Sequence, residues 1–221
     1  MKKRVIATLV CVSCLFLLLS GSSPKLISED EAKKAGLAFI NKVFDVNVSE
    51  VIVTKGVRAG ATYVDGEYQE TGNEQQITFY VVATPPDQYG QSDYMAFVNA
   101  ETGVAYAAEQ SHSHVPKMTA EQHEKWSKAY ANGDPVKIDY MTMDVECNDF
   151  AREWIPQKFD LNARILGFID SGSSFEQGGA GTNFYVVIRD GTIFHITMVW
   201  PQLTVTEITI LNQTRPTVDM P

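Results

Sequence analysis

The sequence predicts an α+β protein written as two tandem units, each one helix packed on a three- or four-stranded antiparallel sheet, joined by a short linker helix. Three observations predict this. Sliding the chain by 115 lays residues 31–47, EAKKAGLAFINKVFDVN, over 146–162, ECNDFAREWIPQKFDLN, with five identities (Glu, Ile, Phe, Asp and Asn) where about one is expected from residue usage. A second echo, FYVV, stands at Phe79–Val82 and again at Phe184–Val187. Each helical stretch is then followed by short segments rich in β-branched and aromatic residues, bounded by Gly, Asp, Pro and Asn, the pattern of antiparallel strands.

The chain of 221 residues opens with MKKR, an uncharged apolar run and SGSS. This is the charged, apolar and small-residue order of a secretory signal. The run is short for a bilayer span, so residues 1–23 are read as a signal peptide or an N-terminal anchor. Cys14 is followed by more apolar residues, unlike a lipid-modified cysteine. Without Lys2, Lys3 and Arg4 the 18 basic residues become 15 against 27 acidic ones, a net charge of −12. That surface excludes nucleic acid, whose phosphates need a basic face, and repels anionic lipid headgroups. Cys11 and Cys14 lie in the leader, so Cys147 alone remains and no internal disulfide is available.

Unit one spans 26–110. Ser28 and Glu31 form a capping-box pattern. Ala32, Ala35, Phe39 and Val43 recur at helical spacing. VSEVIVTKG, QITFYVVATPP and DYMAFVNAETGVAYAAE read as its strands. A linker over 111–141 carries AEQHEKWSKAYA, a polar helix capped by Thr119 and Gln122. Unit two spans 142–215. Cys147, Phe150, Trp154 and Lys158 repeat the helical track, and Pro156, at the place of Asn41, is expected to kink or break that helix. ARILGFIDSG, TNFYVVIRDG, TIFHITMVW and LTVTEITIL follow as strands, with a tight turn at Arg189–Gly191. The first unit holds ten more residues than the second between its two echoes, an insertion expected in a loop. Phe39, Phe44, Phe79, Trp154, Phe159 and Phe184 are the predicted structural aromatics. In the quartets FDVN and FDLN, Asn47 and Asn162 suit a left-handed turn after each helix, with Asp45 and Asp160 exposed beside it.

Little in the chain points to chemistry. His112, His114 and His123 are candidate zinc or copper ligands, but a site needs more convergent ligands than a linker supplies, so no metal is assigned. The glycine-rich stretch Asp170–Asn183 lacks the Lys and the following helix of a phosphate loop and reads as a hairpin loop. Cys147 occupies the apolar track of its helix and reads as buried, not as a nucleophile. No G-x-S-x-G or H-E-x-x-H pattern occurs. No catalytic or cofactor-binding residue is assigned, and the protein is not read as an enzyme.

Unit one resembles the PepSY family in ISEDEAKKAGLAFINKVF, ITFYVVAT and YMAFVNAETGVAYAAEQ. Val98–Val104, VNAETGV, is similar to that family's V-D-A-x-T-G-x-V hairpin, with Asn99 in place of Asp. Unit two has VWPQLTV there, without Thr-Gly, and resembles the family less. The resemblance implies tandem cystatin-like folds and a bacterial protein that is secreted or held in the cell envelope. It implies a non-catalytic module that binds a protein or peptide or regulates a peptidase, with no catalytic residues to transfer. The membrane would be met only through an uncleaved N-terminal segment. The alternative is a small-ligand or enzymatic pocket between helix and sheet.

Overall fold

The computed structural model describes residues 25–58, 60–64, 67–71, 77–130, 140–162, 164–176 and 179–211. The leader expected over 1–23, part of the linker and the chain beyond 211 lie outside the described residues. Three α-helices are present among them: α1 (Glu29–Phe44), α2 (Ala120–Tyr130) and α3 (Tyr140–Phe159). The strands are β1 (Ile52–Arg58), β2 (Gly60–Val64), β3 (Glu67–Thr71), β4 (Ile77–Ala83), β5 (Tyr94–Asn99), β6 (Ala105–Gln110), β7 (Ile165–Glu176), β8 (Gly179–Ile188), β9 (Ile193–Trp200) and β10 (Thr204–Ile210).

Within the described residues one eight-stranded sheet runs β1-β4-β5-β6-β10-β9-β8-β7, and β2 and β3 form a separate two-stranded hairpin. All of the pairings are antiparallel. The protein is therefore α+β. The two predicted units do not make two sheets: their last strands, β6 and β10, pair and join them edge to edge. Ile40 and Val43 from α1, Trp126 from α2, and Met143, Cys147, Ala151 and Ile155 from α3 share one buried cluster with Ala96, Ala108, Phe184, Ile196 and Ile208 from the sheet. One face of the sheet thus carries the helices. Alternation sends the intervening residues to the opposite face.

The capping boxes and the matched burial expected of the helices hold. Ser28 Oγ accepts from the Glu31 amide at 3.2 Å while the Glu31 carboxylate accepts from the Ser28 amide at 2.8 Å. Thr119 and Gln122 make the same reciprocal pair. The positions aligned by the 115-residue shift also match in burial: Ala32 with Cys147, Gly36 with Ala151, Ile40 with Ile155. Gly36 is required by close approach, since a Cβ there would sit 2.6 Å from Val82 Cβ on β4.

Four expectations need correction. The left-handed residues after α1 and α3 are Asp45 (φ 54°) and Asp160 (φ 52°), not the asparagines. Both aspartates also take part in crossed ion pairs: Asp160 with Lys42 at 3.4 Å, Asp45 with Lys158. Pro156 does not break α3, which runs on to Phe159. The missing N–H of Pro156 removes one bond of the ladder, the one to the Arg152 carbonyl, and the three residues beyond it stay helical. Its counterpart Asn41 clamps the chain after α1 by bonding both the N–H and the carbonyl of Val48, a clamp that proline cannot make. The glycine-rich stretch is mostly strand: Asp170–Glu176 belongs to β7 and Gly179–Asn183 to β8. Part of the extra length of the first unit likewise lies in the β2–β3 hairpin, not in an unstructured loop.

The fourth concerns FYVV. Phe184 lies on the helix face, 3% exposed, with Phe168 at 6.1 Å. Phe79 sits next to Tyr80, which is in the helix-side core, and so points to the opposite face. There it meets Phe97 at 6.0 Å and lies over Gly56. The two FYVV segments are out of phase by one residue, and in a strand one residue reverses every side chain.

The hairpin between β5 and β6 rests on Asn99. Its Oδ1 accepts from the Glu101 and Thr102 amides at 2.9 and 3.0 Å, and Gly103 takes the left-handed position at φ 75°. An aspartate carboxylate could accept the same bonds. Asn99→Ala is expected to cost about 1 kcal/mol and Asn99→Asp close to nothing, measured by urea denaturation.

Candidate functional site

At one end of the sheet the connector after β6 and the helix α2 cross the ends of β8 and β9. They enclose a groove of about 690 Å³. Its floor is Gly181 and Asn183 of β8 with Thr197 and Val199 of β9; its walls are His112, Val115, Pro116, Lys117, Met118, His123 and Trp126, with Gly179 and Gln202 at the hairpin turns. Gly179 lets β8 pass close to β9, since a Cβ there would stand 2.8 Å from Val199 and 3.0 Å from the Trp200 carbonyl.

The groove is held open by a polar and aromatic junction on the helix side. Trp126 packs on Trp200 at 6.2 Å, and the Trp200 indole N–H donates to Glu146 of α3 at 2.9 Å. Lys125 of α2 pairs with the other oxygen of Glu146 and lies 5.5 Å from the Trp200 ring. Gln122 donates to the Pro201 carbonyl at 3.2 Å. Together these bonds tie α2 to α3 and to the β9–β10 turn.

Of the predicted metal candidates, His112 and His123 line the groove, and the Nδ1 of His123 is 3.3 Å from Ser127 Oγ. His114 instead pairs with Asp93 at 2.9 Å and stacks on Tyr94 at 4.8 Å. Among the described residues no group of three or more His, Cys, Asp and Glu side chains is placed to hold a metal ion. Cys147 is 1% exposed, and burial first, then Asp144 and Glu146, pushes its thiol up to about 12; it is not a thiolate near neutral pH.

Of the predicted aromatics, Phe39, Trp154 and Phe159 gather where the ends of α1 and α3 meet, whereas Phe79 and Phe184 sit in the sheet with Phe97 and Phe168. Phe39 lies 6.1 Å from Phe159, which also meets Trp154 at 6.2 Å and Phe194 at 4.9 Å. Phe44 packs on Tyr94 at 5.7 Å. These residues build the helix layer and do not line the groove. The groove is not legible in the sequence, because its floor (181–199) and walls (112–126) come from distant segments of the chain. The outer face holds a further feature the sequence did not signal: Glu109 of β6 stands directly opposite Glu207 of β10. Burial, and then the charge of Glu207, raises the Glu109 carboxyl above its ordinary value.

No family model matches the chain, and no curated protein does. Among solved structures it is similar to the Bacillus megaterium YpeB C-terminal domain, at 9% identity, over 89% of this chain and 70% of that one, with a TM-score of 0.40. A score this low marks a loose overlap, and the fold described above stands on its own topology. No helix among the described residues is long and apolar enough to cross a membrane.

Proposed function

We propose that this chain is a non-catalytic binding module that holds an extended protein or peptide segment in the groove beside α2. The observation that carries the reading is the groove's lining. Val115, Pro116, Met118, Trp126 and Val199 supply apolar contact, while Asn183, Thr197, His112 and His123 offer a few hydrogen-bonding groups. That mixture, at this volume, is typical of binding sites. The hydroxyl in the lining, Thr197, donates to the Glu207 carboxylate at 3.3 Å and is not bonded to either histidine of the groove. The space between helices and sheet, where a ligand pocket was the alternative, is filled by side chains that are 0% exposed, among them Ile40, Ile155, Ile196 and Ile208.

The wider reading is a duplicated PepSY-like unit exported by a bacterium. It draws support from the VNAETGV hairpin and the leader-like start of the sequence. The paired helices with matched buried positions and left-handed Asp45 and Asp160, and a strand order that reads alike from both ends of the sheet, support it as well. The out-of-phase FYVV echo gives it no support.

Titrating a library of extended peptides while following tryptophan fluorescence tests the binding role. Trp126 in the groove wall should report occupancy. Asn183→Arg, which places a bulky charge on the floor, is expected to abolish that response while leaving the melting temperature within about 2 °C. A peptide that binds wild type and Asn183→Arg equally would place the binding surface elsewhere.

A further inference from the structure

The junction between β6 and β10 is unlike the other junctions of the eight-stranded sheet. Its register consists of Glu109–Glu207, Ala108–Ile208 and Ala107–Thr209, fewer pairs than any other neighbouring strands make. Irregularities bracket it: the β5–β6 register shifts between Phe97 and Val98, and the β9–β10 register between Val205 and Glu207. At its end two carboxylates face each other across the strands, an arrangement that like charges destabilise.

Among the described residues the strands flanking the pair set no cation against it, while the connector that covers Thr197 brings Lys117, His112 and His123 into the groove beside that threonine. Glu109 has Met95 beside it on β5, and Glu207 has Thr197 beside it on β9. The Thr197 hydroxyl donates to Glu207 at 3.3 Å. The next row of the same face is Phe97, Ala107, Thr209 and His195. His195 is its titratable group, and its ring packs on Tyr185 at 4.9 Å. No Lys or Arg occupies these positions.

The helix layer joins the same two halves by other means. Phe39 packs on Phe159, and Lys42–Asp160 and Lys158–Asp45 cross between α1 and α3. A weak seam in the sheet beneath a tied helix layer has the form of a hinge.

We propose that the Glu109–Glu207 pair makes this seam a proton-operated hinge: with either carboxyl protonated the halves form one sheet, and with both ionised the seam is the first junction to open. The sign follows from linkage. The folded protein holds the Glu109 proton more tightly than the unfolded chain does. Its stabilising effect is therefore complete below the ordinary glutamate range and is lost as pH rises through the raised value. Burial and then Asp170 raise the Asp144 carboxyl as well. A global melting curve would mix the two sites, and residue-level amide exchange separates them.

The experiment is amide exchange on the full chain at about pH 4, below the ordinary glutamate value, and at about pH 7.5, well above it, with rates corrected for intrinsic pH dependence. Protection at Ala107–Glu109 and Glu207–Thr209 is expected to fall about tenfold, relative to β8–β9 amides, at the higher pH. Glu109→Gln and Glu207→Gln should each abolish that fall. Seam protection that tracks β8–β9 at both values, or the same fall in both variants, overturns the proposal. If a variant does not fold, the wild-type pair of measurements decides.

Discussion

Trp200→Ala is expected to lower stability by about 3–5 kcal/mol, in the range for large buried aromatics. Trp200 is 2% exposed and sits where three elements meet. Its ring packs on Trp126 of α2, and its indole N–H donates to Glu146 of α3. Removal leaves a cavity under α2 and takes one partner from a carboxylate that also pairs with Lys125. Trp200→Phe retains most of the apolar contact and loses the N–H, so it should cost about 1–2 kcal/mol. Urea denaturation gives both values. The near-ultraviolet circular dichroism of Trp126 should change in the alanine variant, because the connector loses its anchor. A loss below about 1 kcal/mol for the alanine variant would mean that α2 does not depend on this junction.

Gly36→Ala is expected to destabilise by about 1–3 kcal/mol, although alanine is the better helix former by about 1 kcal/mol. The two effects oppose each other, and distance decides between them. The new methyl would lie 2.6 Å from both Cβ and Cγ2 of Val82 and 2.9 Å from its Cγ1. Val82 is 0% exposed and belongs to a strand paired on both sides, so it cannot retreat; α1 must lift. Val82→Ala removes those methyls. In a double-mutant cycle the pair should therefore cost less than the sum of the singles. Additivity would mean that the helix accommodates the methyl without touching β4.

Both predictions concern the layer that the sequence read best. Helical periodicity, the two capping boxes and the 115-residue echo are short-range signals. A helix makes its own hydrogen bonds, and the residues that alternate along it declare its buried face. Ala32, Val43 and Cys147 are buried as their spacing implied, and Ala35, Phe39, Phe150 and Trp154 on the same tracks are half-buried. The asparagine assignment in the quartets failed by two residues, because Asp and Asn both tolerate the left-handed region and pattern alone does not choose between them.

Strand readings failed in a different way. Phe79 and Phe184 share a word but not a face, since the phase of a strand is set by its partners. The glycines of 170–183 read as a loop, yet β7 and β8 pair through most of that stretch, because the ladder supplies partners that composition does not reveal. The groove was invisible for the same reason. His112, Asn183 and Thr197 meet only through the path of the connector.

The α+β class, the helices with their caps and buried stripes, and the buried, unreactive state of Cys147 are legible in the order of residues. That the two halves share one sheet, that Glu109 faces Glu207 across the seam, and that the ends of α1 and α3 exchange ion pairs come from the folded arrangement. The division has a physical cause. Helices close their hydrogen bonds within about four residues and so write their state locally. Sheets close theirs across the whole chain, and which edge meets which is settled only when every strand has found its neighbour.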